Sequence, residues 1–459
     1  MIHSPHGPQL LAGARVAVIG GGPAGSFAAL HLLRFARQLN RPIAVTIFER
    51  KDFRRRGQSG CNKCAGLLSL RAMRGLEKLG LQLPESLVMA RLDGYVVHLA
   101  GHAIAVTPPD PDRRIVSTYR GGGPLRGDPL PDVSFDAWLL DQARAAGAEV
   151  AAADVRSLTA GAQVQIETRD TREPFDMVIL ASGVNARPPK MDGLAYVPPK
   201  TEVMAQDELL LETPTRSPRT QAHVYVGRQP GLVFGAMIPK GRFLNVSLLG
   251  HRLKGDPVGD FLGRPDCRWV GEQPRRLCGC RPQIAVAAAQ QPCADRFVAV
   301  GDAATTRLYK DGIGSAFSTA RQAAWTALHV GISHQAFAEH YLPLCRSMAL
   351  DNRIGQLLFW PWQGKRGWLY SLWERCWLRV LLAEQTLPAA QRRGHLALWN
   401  MLTGDDSYAH IARHALHPKI FGLVAAALMP ELRPQREDRP LDHDLSRQRS
   451  RIGRIADSA

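Results

Sequence analysis

A glycine-rich turn near the N-terminus constrains this chain more than any other part of its sequence. The run Ala14–Gly20 is apolar and rich in β-branched residues, and Ser26–Leu39 carries apolar residues at helical spacing. Between them lies Gly20-Gly21-Gly22-Pro23-Ala24-Gly25, which fits the pattern GxGxxG. Its three pattern glycines suit a tight turn, close approach of a diphosphate, and close packing of helix on strand. The sequence therefore predicts a strand, a turn and a helix that bind a nucleotide.

An acidic residue follows at the position that such a site needs. The next apolar run, Ile43–Phe48, ends on Glu49, which can accept hydrogen bonds from ribose hydroxyls. A glycine turn alone would also fit a turn without a ligand, but the two strands and the helix favour the nucleotide. The residues predicted to contact it here are Gly20, Gly22, Pro23, Ala24, Gly25, Glu49 and Arg50.

A second signal lies near residue 300. The apolar strand Phe297–Val300 ends in Gly301-Asp302, so the aspartate could reach ligand hydroxyls, although a helix N-cap is an alternative. The glycine-flanked run Lys310–Ala316 then enters a long helix whose first amides could stabilise negative charge on a cofactor. Another apolar strand, Asp176–Leu180, also ends near a glycine. These segments add Gly183, Gly301, Asp302, Gly312, Ile313 and Gly314 to the predicted cofactor contacts.

Together these motifs resemble those of the FAD-dependent oxidoreductases with the aromatic-hydroxylase type fold, and within them the geranylgeranyl reductase family. The resemblance implies that Asp302 contacts the ribityl chain of FAD and that Lys310–Ser315 lies beside the flavin ring. The segments at 135–150 and 233–241 and the cysteine-containing loop after the second strand are also similar to parts of that family. The chain departs from related hydroxylases at Ser182, where they carry an aspartate.

The resemblance implies an α/β fold with a Rossmann-like FAD-binding domain and parallel sheet, an inserted antiparallel substrate-binding sheet and a helical C-terminal region. The expected boundaries are 1–91, 134–199 and 286–336 for the three parts of the FAD-binding domain, 92–133 for a loop-rich insertion, 200–285 for the substrate-binding sheet, 337–432 for the helical region and 433–459 for a disordered tail.

The implied reaction is hydride transfer from reduced FAD to a carbon–carbon double bond of a small apolar, prenyl-like substrate. Two alternatives stay open: a monooxygenase that hydroxylates an aromatic or apolar substrate, and a non-catalytic electron carrier using flavin or thiolate-bound metal. Either NAD(P)H or an electron-donor protein could supply the electrons. The loop residues nominated for catalysis, because they could approach the ring, are Cys61, Cys64, Tyr309 and Lys310.

The cysteines form two close pairs among eight in the chain. Cys61 and Cys64 make CxxC, and Cys278 and Cys280 make CxC. A metal or iron–sulfur site would need both pairs to meet, and the long gap between them does not favour it. A dithiol that exchanges electrons with the flavin is another alternative. The favoured interpretation is that the CxxC cysteines line the substrate pocket, and no metal is predicted.

The formal charge of +17 could suit nucleic acid or an anionic membrane. No nucleic-acid-binding motif accompanies it, so we predict no nucleic acid partner. Segment 359–379 mixes aromatic and basic residues at helical spacing, which suits either an interfacial helix or a core cap over the substrate. The N-terminus lacks a signal-peptide pattern. We therefore expect a cytoplasmic protein, with peripheral contact at the inner face of the membrane as a further hypothesis.

Overall fold

The computed structural model describes residues 7–63, 65–108, 110, 113, 115–130, 132–211, 220–226, 231–251, 253–271, 274–363, 368–420 and 422. Cys64 and the predicted tail 433–459 lie outside the described residues. The described chain forms two large sheets, two small ones and a set of C-terminal helices.

The strands are β1 Arg15–Ile19, β2 Ala44–Phe48, β3 Leu67–Leu68, β4 Ala90–Leu92, β5 Gly94–Leu99, β6 His102–Val106, β7 Ile115–Ser117, β8 Glu149–Ala151, β9 Ser157–Thr159, β10 Val164–Glu167, β11 Arg172–Phe175, β12 Met177–Leu180, β13 Lys190–Asp192, β14 Thr201–Leu210, β15 Gln221–Val226, β16 Leu232–Lys240, β17 Phe243–Gly250, β18 Arg275–Arg276, β19 Gln283–Ala285, β20 Cys293–Ala294 and β21 Phe297–Ala299. The α-helices are α1 Pro23–Gln38, α2 Leu70–Lys78, α3 Phe135–Ala145, α4 Pro257–Leu262, α5 Gly312–His329, α6 His334–His340, α7 Leu342–Phe359, α8 Trp368–Glu384, α9 Arg393–Thr403 and α10 Tyr408–Ala415.

The first large sheet is the predicted nucleotide-binding sheet. Its order is β20-β21-β12-β1-β2-β8, and all pairings are parallel except that of β20 with β21. The central strands are apolar and buried on both faces, as parallel sheets require. Helices α1, α3 and α5 pack together on one face. The predicted α/β fold class is confirmed.

The second large sheet is built mainly from long antiparallel strands, as predicted for segment 200–285. Its order is β18-β14-β17-β16-β15-β5-β6. One feature differs from the expectation: β5 and β6, from the predicted loop-rich insertion, extend this sheet, and β5 pairs with β15 in parallel. The physical reason is the period-two alternation of Tyr95, Val97 and Leu99, which places all three in the same core cluster.

The C-terminal region is helical, as predicted. Residues of α7, α9 and α10 join the core cluster on one face of the second sheet, where Trp399 and Tyr408 are fully buried. Gly404 ends α9 in the left-handed conformation, and Ser407 caps the N-terminus of α10. None of the helices within the described residues combines the length and hydrophobicity that crossing a membrane requires.

The glycine turn that joins β1 to α1 is so tightly packed that Gly20 and Gly25 have no room for a side chain. Gly20 has a φ of +102°, and a methyl group there would lie 2.6 Å from the carbonyl oxygen of Ala181 on the adjacent strand. A methyl group on Gly25 would lie 1.8 Å from the carbonyl oxygen of Gly20. Helix α1 can therefore begin this close to β1 only with glycine at both positions.

We predict that Gly25→Ala lowers the free energy of unfolding by more than about 3 kcal/mol, because backbone must move to relieve the overlap. Urea unfolding followed by circular dichroism measures this. Gly263→Ala is the matched control: a methyl group there meets only ordinary contacts at 3.6 Å and beyond, and should cost less than about 1 kcal/mol. Equal stability of the two variants would contradict the assignment of Gly25.

Candidate active site

A cavity opens at the carboxyl ends of the parallel strands, where open α/β sheets bind their ligands. Its volume is about 290 Å³, close to the lower end of the 300–1,000 Å³ typical of small-molecule pockets. One end is formed by the glycine turn, the ends of β1 and β12, and the start of α5. The other end is formed by the inner face of the second sheet and by α9. One cavity therefore extends from the glycine turn to the second sheet.

The glycine turn presents backbone donors to this cavity. Gly22 is the N-cap of α1, and the helix has neither a side-chain cap nor an acidic residue in its first turn. Its first amides are thus left for a ligand, and the helix dipole favours an anion. Beside them, the Glu49 carboxylate accepts hydrogen bonds from the amides of Gly21 at 2.7 Å and Lys51 at 2.8 Å. Burial raises the pKa of Glu49, against the opposing effect of these amides.

Two polar side chains face the same end of the cavity. Ser182, the residue that departs from the hydroxylase pattern, has a buried hydroxyl with no hydrogen-bond partner in the structure. Burial raises the pKa of Asp302, which lies after β21 with its side chain on the cavity. An orphaned hydroxyl, an uncapped helix and a glycine cradle are what a diphosphate with sugar hydroxyls requires. The residues present fit the expected FAD.

A smaller cleft continues this end of the cavity outward. It shares Gly20, Glu49 and Ser182 with the main cavity and extends to Arg50 and Val155. Its position beyond Glu49 suits the adenine half of the nucleotide.

The far end of the cavity is apolar. Its lining from the second sheet and nearby elements comprises Tyr95, Ile115, Met204, Val224, Phe234, Ala236, Ile238 and Leu402, with Gln206 and Ser247 as a polar pair. The Gln206 side-chain amide donates to the Ser247 hydroxyl at 2.8 Å.

Lys310 projects into this apolar end. Its Nζ lies 4.3 Å from the centre of the Phe234 ring, a cation–π contact. Burial lowers the pKa of Lys310 to about 8. The neighbouring Tyr309 packs edge-on against Phe359, and burial raises the pKa of its hydroxyl well above the usual value. Lys310 is therefore poised to exchange a proton near neutral pH, whereas the Tyr309 hydroxyl stays protonated.

Asp311 anchors the loop that carries Lys310. It adopts the left-handed conformation, caps α5 by accepting from the Gly314 amide at 3.2 Å, and accepts from the Ser69 hydroxyl at 2.5 Å. Burial raises the pKa of Asp311 to about 6, while Arg71 acts in the opposite direction. These contacts hold the first turn of α5 against the cavity.

One buried ion pair in the site was not predicted. Arg120 lines the cavity and pairs through two nitrogens with Asp136, which is completely buried and also accepts from the Asn62 amide. Asp136 occupies the first turn of α3, where a carboxylate is favoured. The only signal in the sequence was an acidic residue just after the N-cap Ser134, and that pattern does not distinguish a cap from a site.

Cys61 comes closer to Cys278 and Cys280 than the long gap in the sequence suggested. The Gln58 side chain donates to the Gly279 carbonyl at 2.9 Å, linking the two cysteine loops, and the thiols of Cys61, Cys278 and Cys280 influence one another electrostatically. Burial raises the pKa of all three thiols. Within the described residues, no group of three or more His, Cys, Asp or Glu side chains is arranged to hold a metal ion.

Most residues predicted from the sequence meet at the cavity. Those that line it are Gly20, Gly22, Pro23, Ala24, Glu49, Gly183, Asp302, Tyr309, Lys310, Gly312 and Ile313. Arg50 lies in the adjoining cleft, and Gly25, Gly301 and Gly314 lie behind the lining. Cys61 is not among the lining residues either, although Asn62 and Lys63 are. Cys64 lies outside the described residues.

Comparison with solved structures identifies the architecture. A geranylgeranyl bacteriochlorophyll reductase-like protein from Thermoplasma acidophilum matches with a TM-score of 0.61 at 14% identity, over 91% of this chain and 100% of that one. Halogenase PltM, a variant of which was solved with FAD, matches with a TM-score of 0.58 at 14% identity, over 91% and 97% of the two chains. The chain therefore has the fold of these two proteins.

A third match is the peptidyl tryptophan dihydroxylase QhpG, with a TM-score of 0.53 at 20% identity over 78% of each chain. No protein-family model matches the sequence, and no curated protein matches it significantly. These relatives differ in reaction, so the likeness establishes the fold and leaves the chemistry to the site.

We predict that Asp136→Ala lowers the free energy of unfolding by about 3–5 kcal/mol, because it removes the carboxylate that pairs with the buried Arg120 guanidinium through two nitrogens. Asp141→Ala on the same helix is the control. Its carboxylate pairs with Arg54 and Arg144 at the exposed surface, so the loss should stay below about 1 kcal/mol. Similar losses in chemical denaturation of the two variants would argue against a structural role for the buried pair.

Proposed function

We propose that this chain is an FAD-dependent oxidoreductase that reduces a carbon–carbon double bond in a small apolar substrate. One observation carries the proposal. A single cavity has a nucleotide-binding end and an apolar end, and in the apolar end Lys310 lies over the ring of Phe234. An apolar substrate would enter the apolar end, and the amine of Lys310 would be the acid within its reach.

The glycine turn and α1 would hold the FAD diphosphate, Glu49 the adenosine ribose, and Asp302 the ribityl chain. The first amides of α5 would face the flavin ring, where they favour negative charge. When bound and reduced, FAD supplies a hydride. Two electrons must first come from NAD(P)H or from a donor protein.

Lys310 would complete the reduction as proton donor. Hydride addition to one carbon of the double bond leaves electron density on the other, and the Lys310 ammonium would deliver the proton there. The pKa of about 8 leaves the amine mostly protonated at neutral pH, yet makes it a far better donor than an ordinary lysine. Solvent would then reprotonate the amine between turnovers.

The apolar lining would exclude water and select the substrate. Side chains from β14, β15 and β16 supply most of this wall, and Gln206 and Ser247 break it at one point. This arrangement suits a hydrocarbon chain that bears at most one polar group. A prenyl alcohol has that composition.

We predict that Lys310→Met lowers turnover about 100-fold or more while FAD binding is retained, because the proton donor is removed. In the unmodified chain the donor is present below pH 8, so kcat should be steady there and fall as pH rises through about 8. The variant should lose this pH limb. Lys63→Met, which alters another lysine of the cavity lining, should retain both the rate and the limb. A pH limb that survives in Lys310→Met would assign the proton to another group.

The reaction itself can be tested with geranylgeraniol and chemically reduced FAD-loaded protein under anaerobic conditions. The proposal expects a product heavier by two hydrogens and labelled with solvent deuterium when the reaction runs in heavy water. If product forms only with oxygen and carries an atom of ¹⁸O from ¹⁸O₂, the chain is a monooxygenase. If the protein takes up no FAD, the proposal fails at its first step.

A further inference from the structure

The outer face of α7 carries large apolar side chains that the rest of the described fold leaves exposed to solvent. Leu350 is 61% exposed, Leu357 is 73% exposed and Trp360, the C-cap residue, is 61% exposed. Arg346 and Arg353 are exposed between them at steps of three and four residues. We call Arg346, Leu350, Arg353, Leu357 and Trp360 the α7 stripe; it runs for about 20 Å along one side of the helix.

The opposite face of α7 explains why the helix forms, so the stripe is not needed for folding. Met348, Asn352 and Phe359 are buried there. The Asn352 side chain bridges the Leu308 amide and the Thr306 carbonyl, directly before the Lys310 loop. Exposed leucines scattered singly are ordinary, but three large apolar side chains aligned on one stripe mark an interaction surface.

The charge around the stripe is one-sided. Segment 342–384 has three acidic residues, and all of them are used by the fold. Asp351 caps α10 through the amides of Tyr408 and Ala409, Glu374 accepts from the Ala100 amide, and Glu384 accepts from the amides at the start of α9. Three arginines of the segment, Arg346, Arg353 and Arg375, are exposed to solvent.

We propose that the α7 stripe docks this protein on an anionic lipid bilayer. Leucine and tryptophan side chains would enter the headgroup region, and the arginines beside them would contact lipid phosphates. An acidic protein partner would match the charge as well, but leucine and tryptophan side chains aligned beside arginines are the pattern of a helix that lies in the headgroup region of a bilayer. The inference does not depend on the reaction that the cavity catalyses.

The docked helix would lie directly behind the substrate cavity. Phe359, next to Trp360 in sequence, packs against Tyr309 at 5.1 Å and Phe234 at 6.4 Å between ring centres. Both partners line the apolar end of the cavity. A bilayer on the outer face of α7 would therefore be separated from the substrate site by the last turn of α7 and the Phe359 side chain. In the following helix, α8, Trp373 and Trp377 pack against the core. These two tryptophans therefore fit the core cap that the sequence offered as the alternative to an interfacial helix.

The test is flotation of the full chain with vesicles of phosphatidylcholine alone or with about 30 mol% phosphatidylglycerol, at about 0.1 M salt. We expect at least about tenfold tighter binding to the anionic vesicles. The double variant Leu350→Glu/Leu357→Glu should weaken that binding about tenfold or more. Arg346→Gln and Arg353→Gln should each weaken it about fivefold and reduce its dependence on salt.

Leu11→Glu is the matched control, because Leu11 is 69% exposed and lies before β1, far from α7 in sequence. It should bind vesicles like the unmodified chain, and all variants should melt cooperatively. The proposal is overturned if the unmodified chain does not float, or if the leucine variant floats as well as the control. A leucine variant that only converts a dimer to a monomer would make the stripe a self-association surface instead. Flotation needs neither turnover nor FAD, so its outcome is separate from that of the proposed reaction.

Discussion

The contact between Gly25 and the carbonyl oxygen of Gly20 sets the distance between α1 and β1. Because no side chain separates them, the first amides of the helix lie directly at the carboxyl edge of the sheet. The same closeness is repeated nearby: a methyl group on Gly301 would lie 2.6 Å from the Cβ of Ala24. This brings the end of β21 and Asp302 against the same turn. The nucleotide end of the cavity is therefore defined by missing side chains as much as by the groups that are present.

The charges inside the molecule fall into two kinds. Arg120 with Asp136, and Lys240 with Glu208, are buried pairs that neutralise one another and fix the positions of loops and strands. Lys310 has no carboxylate partner among the described residues, and an aromatic ring is its nearest charge-stabilising contact. An unpaired base in an apolar setting is costly to fold around, and such groups concentrate at functional sites. For this reason we propose that Lys310 takes part in the reaction, whereas the two buried ion pairs stabilise the fold.

The sequence predicted those parts of the fold and site that depend on local pattern. The turn at Gly20–Gly25, the acidic end of β2 and the Gly301-Asp302 strand end each carry their signal within a few residues, and all of them meet at the cavity. What escaped prediction depends on contacts between distant segments. The approach of Cys61 to Cys278 and the parallel pairing of β5 with β15 arise only when the sheets assemble. Likewise, the aromatic segment 359–379 left open an interfacial helix or a core cap, because periodicity alone does not say which face the core covers; Trp373 and Trp377 pack against the core.

Neighbouring strands of the first sheet come from distant parts of the sequence, and this has a consequence for the synthesis of the protein. Strand β1 lies between β2 and β12, and β12 follows it only after about 160 residues. At about 5–20 residues per second, the apolar strand β1 must wait roughly 10–30 seconds for this second neighbour to be synthesised. During that time its edge is open to wrong partners. Protection of the nascent chain by chaperones would matter more for this protein than for one of equal size built from consecutive domains.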